Sequence, residues 1–160
     1  MSIELSHQRT RSNSKSIKVL VIEDSADHWL LMKKAMQQCL PEASPVYVSS
    51  SEQALTLLDE WSTQEWELPK LIFQDLYLPT REDGWKLLRQ IKAMTTSCNR
   101  IPVVMLSSSD TQTDIVDAYH RGIASYLVKP VDFSGWIAYF KELRAYWLDT
   151  ASLLPVHFSL

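Results

Sequence analysis

The run Ile17-Lys18-Val19-Leu20-Val21-Ile22 constrains the chain more than any other stretch. Near-continuous aliphatic side chains over so short a span leave no polar face, so a strand made of them has to be covered on both sides. Sheets covered on both sides are parallel sheets with helices on each face. The run ends in Glu23-Asp24-Ser25, and an apolar strand closed by a polar residue returns along the chain. Leu71-Ile72-Phe73-Gln74 leads into Asp75, after which Pro79 and Thr80-Arg81-Glu82-Asp83-Gly84 read as a turn into the next helix. Pro102-Val103-Val104-Met105-Leu106 runs into Ser107-Ser108-Ser109-Asp110, and Ser125-Tyr126-Leu127-Val128 into Lys129-Pro130. Val46-Tyr47-Val48 is a further short strand.

Helical spacing fills the intervals. Residues 27–40 carry Leu31, Met32, Ala35, Met36 and Cys39 up to Pro41. Ser50 or Ser51 caps a helix with Ala54, Leu55, Leu58 and Trp61 on one face. A helix over about 85–95 presents Leu87, Leu88, Ile91 and Met94, and one with Ile115, Ala118 and Tyr119 is closed by Gly122. The last helix, about 133–148, places Trp136, Phe140, Leu143 and Trp147 on one face. Five strands alternating with five helices predict an α/β, doubly wound parallel sheet in a single domain. Residues 1–16, rich in Ser and Arg, read as a disordered polar tail, and 149–160 as a short C-terminal tail.

Charge and composition exclude several classes. A net charge of −3 without a basic stripe argues against nucleic acid as a partner. No segment approaches about 18 consecutive apolar residues, and the first residues lack the apolar stretch of a signal peptide, so a cytoplasmic protein without a membrane span is expected. Cys39 and Cys98 lie far apart in no metal-like spacing, which fits buried thiols in a reducing compartment.

If the strands are parallel neighbours, Glu23, Asp24, Asp75, Ser107 and Lys129 open on one edge of the sheet, where such sheets keep their ligand crevice. Carboxylates, a hydroxyl and an ammonium in one crevice suit phosphoryl transfer. Carboxylate oxygens favour Mg²⁺, which takes few protein ligands plus water and phosphate. Crowded carboxylates need a cation or a lysine to offset their repulsion. Asp75, the central one, is the candidate nucleophile, since a carboxylate can carry an acyl phosphate. The bland alternative is that Asp75 merely caps a helix or a turn.

Val19–Ser25, Ile72–Pro79, Asp83-Gly84-Trp85, Val104–Ser108 and Ser125–Pro130, in this order, resemble the receiver domain of response regulators over about residues 17–148. The resemblance implies a flavodoxin-like fold with strand order 2-1-3-4-5. It implies that Asp75 is the phospho-acceptor. It further implies that Glu23, Asp24, Asp75 and the backbone carbonyl of Tyr77 bind Mg²⁺, and that Lys129 neutralises the phosphoryl group. Ser107 and Tyr126 would be the switch hydroxyl and switch aromatic, and the Lys129-Pro130 bond would be cis. Such a protein is not an enzyme with turnover; it carries out only its own Mg²⁺-dependent phosphorylation and dephosphorylation. Its partner would be a sensor histidine kinase or a phosphotransfer protein, and the trim C-terminus resembles stand-alone regulators paired with bacterial phytochromes. Pairing through the C-terminal helices would use Trp136, Tyr139 and Tyr146.

Gln74, where the family usually has an aliphatic residue, needs a buried partner. The segment from Pro79 to Gly84 is slightly longer than the family's, and the Tyr77 side chain borders the phosphate site. His28 and His120 read as surface residues, and Ser108 and Ser109 as loop residues. A haloacid-dehalogenase-type phosphatase also uses a strand-end aspartate, but it needs a second aspartate where this chain has Tyr77. The remaining rival is a pseudo-receiver that binds partners without phosphorylation.

Overall fold

The computed structural model describes residues 16–149. The strands are β1 (Ile17–Ile22), β2 (Ala43–Val48), β3 (Leu71–Asp75), β4 (Val103–Ser107) and β5 (Ser125–Val128). They alternate with α1 (Ala26–Cys39), α2 (Ser51–Trp61), α3 (Arg81–Lys92), α4 (Gln112–His120) and α5 (Phe133–Arg144), and α5 runs on as a π-helical turn, Ala145–Asp149. All strands pair in parallel in the order β2-β1-β3-β4-β5. This is the doubly wound flavodoxin-like architecture that the sequence predicts. The expected tails, 1–16 and 149–160, lie outside the described residues except at Ser16 and Asp149.

The period-two alternation of the buried strands divides the core in two. Val19, Val21, Phe73, Val104 and Leu106 face α1 and α5, packing on Met32, Met36, Trp136 and Phe140. Leu20, Ile22, Ile72, Val103 and Met105 face the other way, onto Leu58, Leu87, Leu88, Ile91 and Ala118. The central strands β3 and β4 are buried at every residue, as helices on both faces require. Cys39 and Cys98 are buried free thiols.

Three local expectations are corrected. The segment after Pro79 is not a turn: Thr80 accepts from the Asp83 N–H while Asp83 reaches back to the Thr80 N–H, so α3 begins at Arg81. A helical Gly84 follows from packing, because a Cβ there would overlap the Leu76 backbone carbonyl. On α4, Tyr119 is exposed and Asp114 is buried in its stead, since Asp114 is paired with Arg81 and hydrogen-bonded by Ser109. The cis peptide bond among the described residues is Leu78-Pro79, not Lys129-Pro130, and nothing in the structure explains the exchange.

Candidate functional site

Parallel pairing brings the carboxyl ends of β1, β3, β4 and β5 to one edge, and the expected polar residues converge there. Glu23 is fully buried, its N–H donating to the Val48 carbonyl and its Oε2 accepting from the Ser25 N–H at 3.1 Å. Ser25 in turn caps α1 by accepting from the His28 N–H, which fixes the first turn of α1 beside the acidic pair. Asp75 is buried at the end of β3 and Asp24 is exposed at the rim. Ligand oxygens of Glu23, Asp24 and Asp75 lie within 4.8 Å of one another.

Lys129 supplies the counter-charge. Its N–H donates to the Ser107 carbonyl, continuing the β4–β5 ladder, and so fixes where its side chain starts. The ammonium lies 2.7 Å from Glu23 Oε1 and donates to Asp75 Oδ2 at 3.1 Å. Burial and the neighbouring Glu23 together push the Asp75 carboxyl up to about 8, with Lys129 offsetting only part of the rise. Glu23 goes the other way. Burial raises its carboxyl, but the close Asp75 carboxyl and the Lys129 ammonium outweigh burial and leave it below its ordinary value. The two carboxyls titrate as a coupled pair, Asp75 shifted up and Glu23 down.

Divalent-cation fit can be tested on Glu23. Despite the nearby ammonium, its buried Oε1 receives no hydrogen bond of good geometry. A buried anionic oxygen without a hydrogen bond, flanked by two further carboxylates, is what a hard cation would satisfy. The donor set is therefore suited to such an ion.

Ser107 is buried at the end of β4, with its Oγ accepting from the Ser109 N–H at 3.0 Å. The Tyr126 ring packs against the α2–α4 side of the core, and its hydroxyl donates to the Ser109 carbonyl at 2.8 Å. Ser109, which the sequence marks as a loop residue, thus joins both expected switch residues. Its Oγ also donates to Asp114 at 2.7 Å, and Asp114 pairs with Arg81. Tyr77 donates its N–H to Asp75 Oδ1 at 3.2 Å and leaves its ring half-exposed at the rim.

His28 belongs to this site, contrary to the surface reading. Its Nδ1 lies 3.0 Å from the Lys129 ammonium and 3.7 Å from Glu23. The cap at Ser25 holds this first-turn residue at the strand end that carries Glu23 and Asp24. Gln74 donates to the Gly84 carbonyl at 2.8 Å, so half of its buried amide is satisfied while Oε1 has no partner. Trp136 is buried within the core, which removes it as a pairing contact; Tyr139 is half-buried, and Tyr146 is exposed.

Against known proteins, the response regulator receiver domain model matches residues 19–141. The chain belongs to the response regulator receiver family. It is 31% identical to the probable methanogenesis regulatory protein FilR2 of Methanothrix harundinacea over 81% of this chain and 83% of that one. It is 26% identical to response regulator Rcp1 of Synechocystis over 84% of this chain and 91% of Rcp1. Among solved structures, the phosphorylated cyanobacterial phytochrome response regulator RcpA superposes with a TM-score of 0.72 at 29% identity, covering 86% of this chain and 97% of RcpA. The Mn²⁺-bound form of Rcp1 superposes with a TM-score of 0.69 at 26% identity, covering 84% of this chain and 96% of that structure. No helix among the described residues is long and apolar enough to cross a membrane.

Proposed function

We propose that this response regulator accepts a phosphoryl group on Asp75 from the histidine of a sensor kinase and reads it out through Ser107 and Tyr126. The observation that carries the reading is the buried Lys129 ammonium held between Glu23 and Asp75, with Asp24 beside them. In the transfer, the P–N bond to the kinase imidazole breaks as a P–O bond to an Asp75 carboxylate oxygen forms. The imidazole keeps the electron pair of the broken bond. Asp75 has to be ionised to attack, and the Lys129 ammonium favours that form against burial and the Glu23 charge. A Mg²⁺ ion held by Glu23, Asp24, Asp75 and the Tyr77 carbonyl would supply positive charge for the phosphoryl oxygens.

Lys129 then exchanges its hydrogen bond to Asp75 for one to a phosphoryl oxygen, while Glu23 keeps the ammonium in place. Ser107 donates its hydroxyl to another oxygen, which withdraws Oγ from the Ser109 N–H. Because the Tyr126 hydroxyl is bound to the Ser109 carbonyl, that movement loosens the tyrosine from the loop. The result is a shift between pre-existing states. The similarity to phytochrome response regulators supports a phytochrome-type kinase as the donor, acting in the cytoplasm, with a receiver domain over residues 17–148. The output is a protein contact rather than DNA binding. Exposed Tyr146 at the end of α5 is the residue on which a homodimer contact would centre.

Intact-mass spectrometry after incubation with Mg²⁺ and a small phosphodonor tests the reading. The wild type should gain one phosphoryl group and Asp75→Asn should gain none. No gain with a small donor or with a kinase sinks the proposal in favour of a pseudo-receiver.

A further inference from the structure

Away from the sheet edge that carries Asp75, α3 and the turn from α4 to β5 enclose a depression of about 350 Å³ lined by Trp85, Arg89, Lys92, Ala93 and Arg121. Three of its five lining residues are cations and none is an acid, in a chain whose net charge is −3. Arg89, Lys92 and Arg121 form no ion pair among the described residues. The nearest acid on α4, Asp117, turns toward Arg81 at 3.7 Å. Arg81 takes both Asp114 and Asp117, so the acids of α4 are spent on an arginine that does not line the depression.

The cations are also held in place. The Arg121 guanidinium lies over the Trp85 ring at 4.5 Å, and the ring is buried, which fixes the stacked group against the floor. The Lys92 stem packs over Gly122, whose φ of 96° favours glycine at this turn. Lys92 is half-buried, and burial pushes its ammonium below the ordinary value with no carboxylate to offset the penalty. Arg89 lies one turn before Lys92 on α3, at the same mouth. Guanidinium pairs recognise phosphate oxygens in a bidentate manner, and a lysine adds a point charge.

We propose that this depression is a binding site for a phosphate or pyrophosphate group, distinct from the phosphorylation site. The group is carried either by a small molecule or by a phosphorylated residue of a partner. The volume admits a pyrophosphate, whose two ends would engage Arg121 and the Arg89–Lys92 pair. Isothermal titration calorimetry with sodium pyrophosphate, on the full chain in chelator to keep divalent ions from the carboxylate site, tests this. Saturable one-to-one binding is expected, weakened at least tenfold in Arg121→Ala and in Lys92→Met, and unchanged in Asp75→Asn. Arg89→Glu, at an exposed position, serves as the variant least able to disturb folding, and its circular dichroism is recorded alongside. A phosphoserine peptide binding more tightly than free pyrophosphate places the group on a partner; the reverse order places it on a small molecule. Absence of binding in the wild type, or binding that survives Arg121→Ala, Lys92→Met and Arg89→Glu, overturns the site.

Discussion

At Asp75, burial and the adjacent Glu23 keep a proton on the folded chain up to a pH of about 8, against an ordinary value of 3.8. Between those values the unfolded chain has lost the proton and the folded chain retains it. The contribution of Asp75 to stability is therefore fully present at low pH and declines as pH rises toward 8. Glu23, shifted down, has the opposite sign: its contribution is present above its ordinary 4.5 and is lost on acidification, at the low end of the Asp75 window and below it. Asp75→Asn removes the ionisation without emptying the space. In chelator at pH 8.5 the variant should be about 1–3 kcal/mol more stable than the wild type in urea denaturation, with the gap closing toward pH 5. A gap independent of pH would show that the Asp75 carboxyl is not shifted up in the folded chain. Asp75 and Lys129 were legible as residues because strand ends announce themselves in an apolar sequence. His28 was not, since a lone histidine on a helix carries no pattern of its own until the cap at Ser25 fixes the turn it occupies. Gln74 posed a definite question in the sequence, and its answer, the Gly84 carbonyl, depends on a close approach that no local pattern displays.

On the scale of elements, α3 shows how one backbone contact dictates a residue. Its first turn is built by the Thr80–Asp83 capping box, and Gly84 then lies against the Leu76 backbone. Gly84→Ala gains helix propensity but has no room for its methyl group, and the obstacle is backbone rather than a flexible side chain. We expect a loss of at least about 2 kcal/mol in chemical denaturation, the reverse of the gain for Gly→Ala in an exposed helix. The central strands β1, β3 and β4 were readable because they are buried on both faces, whereas the start of α3 was not. Proline and glycine around a polar segment read as a turn, yet the same letters spell a cap followed by a tightly packed first turn. Asp114 on α4 was hidden for a different reason. Its burial depends on Arg81, far away in sequence, and charge partners across two helices leave no periodicity.

For the whole molecule, the doubly wound class follows from alternation and handedness and was therefore legible, whereas the order β2-β1-β3-β4-β5 came from the family likeness. The expected cis bond at Lys129-Pro130 came from family likeness, and the chain departs from it. A cation bound among the three carboxylates binds the folded chain and not the unfolded one. At a hundredfold excess over its dissociation constant, Mg²⁺ should add about 2.7 kcal/mol to stability. That gain, read as a rise in unfolding temperature, should shrink in Asp24→Asn. An equal rise in the variant would place the ion elsewhere.

Lys129 enters the site from the end of β5, an edge strand and the last to be synthesised, while Glu23 and Asp75 come from the ends of β1 and β3. A chain still emerging from the ribosome can pair β1 with β3 well before its neutralising ammonium exists. During that interval the acids face each other unopposed, and protonation or a borrowed cation has to stand in. The order of translation thus makes closure of the edge strand the event that completes both the sheet and its charge balance.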